Sequence, residues 1–108
     1  MFLVLRNTFR LGNSMTINLC IPIYDFEGIP IPGGGTLGQL LANQIGSADL
    51  TPAIKWLDWA ISLWKGEIIT VDQTDYDLIV KAVEGFKTLT VISRGQILKA
   101  LRDGKQAA

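Results

Sequence analysis

The chain has 108 residues, 48% of them hydrophobic, and its ten basic and ten acidic side chains cancel; this fits one domain able to bury its own core. With no histidine and Cys20 as the single cysteine, a Ser-His or Cys-His nucleophile, an internal disulfide and the usual zinc-ligand patterns are excluded. No apolar run approaches the roughly 20 residues of a membrane-spanning helix and no stretch reads as an export signal, so a soluble cytoplasmic protein is expected.

Met1 to Ser14 holds two short apolar patches separated by Arg6, Asn7 and Arg10 and closes on the turn-like Gly12-Asn13-Ser14. Residues 1–14 are therefore expected to form a flexible leader or upstream extension, residues 15–104 a single globular domain, and residues 105–108 a frayed tail. From Thr16 to Ile31 the alternating, β-branched sequence around Asp25-Phe26-Glu27-Gly28 predicts a β-hairpin. Pro22, Pro30 and Pro32 cannot donate to a ladder, so its strands must be short or lie at an edge. Thr36 then caps a helix in which Leu37, Leu40, Leu41 and Ile45 recur at helical spacing.

Thr51 to Gly66 carries all three tryptophans. Thr51 is a suitable N-cap, Pro52 suits the first helical position, and Gly66 suits the stop. At about 100° per residue, Ala53, Ile54, Leu57, Ala60, Ile61 and Trp64 share a face, opposite Lys55, Asp58, Ser62 and Lys65. Trp56 and Leu63 widen the apolar arc, and Trp59 falls at the edge of the polar face. The arc is wider than one neighbour covers. Trp59 either lies under another segment of the chain or anchors a partner; on the second reading Trp56, Trp59 and Leu63 are the candidate contact residues, for a homodimer or another protein.

Beyond Gly66, Glu67 to Val71 has the content of a short strand. Asp72 caps a helix whose buried face is Tyr76, Ile79, Val80, Val83 and Phe86. Thr88 to Ile92 is ambiguous between strand and helix, and Ser93-Arg94-Gly95-Gln96 has the capping-box pattern for a last helix ending near Gly104.

The charges are segregated. Glu67, Asp72, Asp75, Asp77 and Glu84 face Lys81 alone in the middle of the chain, whereas Lys87, Arg94, Lys99, Arg102 and Lys105 outnumber Asp103 at its end. Read as a helix-turn-helix, the C-terminal half would place Arg94, Lys99, Arg102 and Lys105 on a nucleic-acid-binding face. Zero net charge and Gly95 inside the supposed reading helix weigh against it.

Other motifs have simpler explanations. Gly33-x-Gly35-x-x-Gly38 matches a dinucleotide-binding glycine pattern, but the prolines before it deny the buried strand that motif needs, and a turn into a helix explains it. Asp72, Asp75 and Asp77 lack the spacing of a calcium loop, and Asp25 with Glu27 are acids in a turn. Cys20, in a strand-like run, reads as a buried small residue. No metal, cofactor or small-molecule substrate is expected, and no catalytic constellation is present.

The order TINLCIPIYDFEGIPIP, TLGQLLAN, AIKWLDWAISLWKGEIITVDQTDYDLIVKAVE and GQILKAL resembles small uncharacterised proteins of bacteriophages and prophages, over roughly residues 15–101. The resemblance implies a viral or prophage accessory role and names no activity. The expectation is thus an α+β domain, an N-terminal hairpin packed on about four helices. It would act without catalysis through contact with a host or viral protein or with itself, the alternative being a small DNA-binding regulator.

Overall fold

Two β-branched stretches far apart in sequence form the only regular sheet among the described residues: β1 (Met15–Ile17) runs antiparallel to β2 (Ile69–Val71), with Met15 opposite Val71 and Ile17 opposite Ile69. The computed structural model describes residues 15–104, so the expected leader 1–14 and tail 105–108 lie outside the described residues. Between the strands lie α1 (Leu37–Gly46) and α2 (Ala53–Trp64); α3 (Gln73–Gly85) and α4 (Val91–Gly104) follow. The class is α+β with four helices, as expected.

The hairpin around Asp25 to Gly28 is a turn held by isolated pairings. Tyr24 bridges Pro30 and Pro22 bridges Thr36. Asp25 N–H donates to the Ile29 carbonyl at 2.9 Å, Ile31 N–H donates to the Ile23 carbonyl at 2.9 Å, and Gly28 takes φ +81°. Prolines without an N–H keep this pairing from extending. The regular ladder therefore forms where no proline intervenes.

Local capping fixes most helix ends. The Thr36 hydroxyl accepts from Gln39 N–H at 3.1 Å and the Gln39 side chain accepts from Thr36 N–H, a complete capping box. The Asp72 carboxylate caps α3 by accepting from Asp75 N–H at 2.8 Å. At the end of α2, Gly66 takes φ +80°, its N–H donates to the Leu63 carbonyl and Glu67 N–H donates to the Ser62 carbonyl, the paired bonds of a Schellman cap.

Two starts differ from expectation. Pro52, not Thr51, holds the N-cap position of α2, without a side-chain bond; the Thr51 carbonyl is taken instead by the Trp56 indole N–H at 3.2 Å. α4 begins at Val91, with Thr90 as its cap: the Thr90 hydroxyl accepts from Ser93 N–H at 3.3 Å. Ser93 is displaced from that role because a capping hydroxyl already stands three residues earlier.

The core gathers Ile17 and Leu19 from the N-terminal segment, Leu37 and Leu41 from α1, Val83 from α3, and Ile97 and Leu101 from α4, all essentially fully buried. α1 lies close on α2. A methyl group on Gly38 would stand 2.7 Å from the Leu63 carbonyl oxygen and 3.2 Å from that of Leu19. Gly38 is thus a packing glycine, and its own N–H donates to Leu19 at 2.8 Å. Cys20, expected to be buried, is exposed; Leu19 takes the inward position and the next residue faces out.

Candidate functional site

Helix α2 is apolar around most of its circumference, and its neighbours settle which part is covered. The sheet and α1 approach on the side of Trp56, Ala60 and Leu63, which are buried, Trp56 to 4% and Leu63 to 3% exposure. Two of the three expected contact residues therefore anchor the helix to the core. Trp59 is half-buried, edge-on to Trp56 with ring centroids 4.9 Å apart. The Lys55 ammonium stands 5.5 Å from the Trp59 ring and pairs with Asp75 at 2.7 Å, which ties this flank to the first turn of α3.

The residues expected to face the core lie largely outside. Ile54 is 77% exposed, Leu57 58%, Ile61 44% and Trp64 52%. Stepping by three, four and three residues, they form one ridge along the helix. Shallow depressions run beside it: Ala42 and Asn43 of α1 flank Ile61 and Trp64, while Gly46, Ala48 and Leu50 flank Leu57. Asp58 borders the ridge on its other edge and Lys65 caps the helix end just past Trp64; both are exposed and neither has an ion-pair partner among the described residues. Large apolar side chains gathered on one face are the usual mark of a contact surface. The breadth of the apolar arc was the available sequence signal, but it gave no direction.

The basic residues do not converge. The Arg94 guanidinium is turned inward, donating to the carbonyls of Phe86 and Leu89, the latter at 3.0 Å, and so bonds the segment joining α3 to α4. Lys99 borders a cleft, Arg102 is exposed beside Asp103 at 3.9 Å, and Lys105 lies outside the described residues.

That cleft, about 780 Å3 and open to solvent, separates the hairpin from α4 and is lined chiefly by apolar groups, among them Ile21, Phe26, Leu37 and Val91. Gln96 closes its floor by bonding the Tyr24 backbone twice: its amide NH2 donates to the Tyr24 carbonyl at 2.6 Å and its amide oxygen accepts from Tyr24 N–H at 3.0 Å. The Gln96 amide is thus already used.

The carboxylates of Asp25, Asp72, Asp75 and Asp77 are likewise occupied. The Asp25 carboxylate accepts from Glu27 N–H at 2.8 Å and Ile29 N–H at 3.0 Å, shaping the turn. Asp72 caps α3, Asp75 holds Lys55, and Asp77 accepts from the Gln73 amide at 2.8 Å. Among the described residues no three His, Cys, Asp or Glu side chains group to hold a metal, and no helix is long and apolar enough to cross a membrane. Tyr76 is buried, and its phenol is pushed above the ordinary value by burial and by the Asp77 charge, partly offset by Arg102. Comparison of the chain with family models, with curated proteins and with solved structures gives no match to any of them.

Proposed function

We propose that this chain is a non-catalytic accessory protein, of the phage or prophage kind its sequence resembles, that acts by protein contact through the outer face of α2. The reading rests on one observation: Ile54, Leu57, Ile61 and Trp64 form an exposed apolar ridge on a helix whose opposite side is anchored in the core. A monomer gains nothing by holding four large apolar side chains in water, whereas a partner that covers them recovers the hydrophobic free energy. Trp59, half-buried against the core on the far side of α2, lies outside this surface.

The test is a photo-crosslinking amino acid placed at Ile61, compared in living bacteria with the same group at exposed Lys81 on α3. Discrete protein adducts from position 61 that vanish with Leu57→Asp are expected. Equal adduct yields from the two positions would overturn the proposal.

A further inference from the structure

We infer that the occupant of the α2 ridge is a second copy of this chain, its α2 lying antiparallel across a twofold axis between the Leu57 and Ile61 levels; the inference rests on the contact face proposed above. Two features of the helix fit that partner.

The apolar spacing is the first. Ile54, Leu57, Ile61 and Trp64 are spaced as the alternating inner positions of a two-helix seam, in which side chains of one helix pack between those of the other. In the antiparallel register Leu57 meets the partner's Ile61 and Ile54 meets the partner's Trp64. A twofold axis makes every such contact occur twice, as a self-complementary surface requires.

Charge is the second. The same register, without further adjustment, sets Asp58 beside the partner's Lys65 and Lys65 beside the partner's Asp58. These are the two exposed charges bordering the ridge, opposite in sign and without an ion-pair partner among the described residues. Flanking charges of this kind choose partner and orientation more than they add affinity. A parallel arrangement would not bring the two together.

The experiment uses the full chain and reads mass by sedimentation, with Asp58→Lys, Lys65→Asp, their double variant, and Leu57→Asp. Leu57 and Asp58 lie within α2 and Lys65 is its C-cap residue; all three are exposed. The expected result is a dimer that Leu57→Asp abolishes and that each single charge reversal weakens by about tenfold, since each replaces two attractions by two repulsions worth a few tenths of a kcal/mol or more apiece. The double variant recovers the dimer. Mixing the two single variants gives a heterodimer tighter than either homodimer, because both of its edge pairs are then of opposite sign. A monomer throughout the accessible concentration range overturns the inference, as does a dimer indifferent to the charge reversals. The two readings fail separately: a monomer that still yields discrete adducts from position 61, none of twice the chain's mass, leaves the contact face standing with a foreign protein on it, whereas no adducts at all remove both.

Discussion

Gly38→Ala tests the packing that orients the whole site. The added methyl would stand 2.7 Å from the Leu63 carbonyl oxygen and 3.2 Å from the Leu19 carbonyl oxygen. Neither is the loose end of a side chain. Leu63 O already accepts from Gly66 N–H in the cap of α2, and Leu19 O accepts from Gly38 N–H itself, so relief requires α1 to move off α2. Overpacking of this kind costs about 1–3 kcal/mol. Alanine returns up to about 1 kcal/mol of helix preference over glycine, which after the full return leaves a net loss of up to about 2 kcal/mol and a fall of about 4–8 °C in melting temperature for each kcal/mol in a domain of this size. Gly95→Ala is the internal control. Nothing lies within 4 Å of its added methyl, so there the same substitution should stabilise by about 0.5–1 kcal/mol. Urea unfolding followed by tryptophan fluorescence, fitted with a common slope, measures both. A Gly38→Ala protein at least as stable as the wild type would refute the close approach of the two helices.

Gln96→Leu should release the hairpin from α4. With the Tyr24 N–H and carbonyl both deprived of partners, a cost of about 1–3 kcal/mol is expected, together with faster hydrogen exchange at the Tyr24 amide and unchanged protection at Gly38; uniform loss of protection across the domain would contradict a local lock. Alkaline stability should depend on Tyr76. Its folded phenol titrates above the ordinary 10.0, so the neutral form contributes stability in full below pH 10, and the contribution is lost as pH rises through the folded value because the unfolded chain ionises first. Denaturant midpoints measured upward from about pH 8 should fall less steeply for Tyr76→Phe than for the wild type; parallel curves would exclude the burial effect.

What the sequence disclosed was the chemistry of neighbours along the chain. Thr36, Asp72 and Gly66 mark helix ends through groups only a few residues away, and each does so in the structure. What it withheld were choices made by distant segments. The ladder partner of Met15–Ile17 is Ile69–Val71, and alternation within a strand carries no name for its partner. The orientation of α2 was equally hidden: an apolar arc running from Trp59 round to Ile54 offers no unique inward direction, and of the six residues expected inside only Ala60 is buried. The contact ridge emerges from that same ambiguity, because the apolar residues left over once α1 and the sheet had taken their side are the ones that face solvent. Thr90 shows the local version, two hydroxyls three residues apart competing for one helix start.

The β1–β2 ladder also has a bearing on how freely the chain can change in length. Its three residue pairs close the segment from Asn18 to Ile68 into a ring that contains the hairpin, α1 and α2. Ring closure becomes costlier only slowly as a loop grows, about 0.6 kcal/mol for each doubling, so residues added at the exposed bends of the hairpin tip or between α1 and α2 would hardly strain the clasp. The ladder therefore separates two kinds of variation: the ring is cheap to lengthen and expensive to open, and new surface can be built out from its bends while the α2 ridge keeps its place.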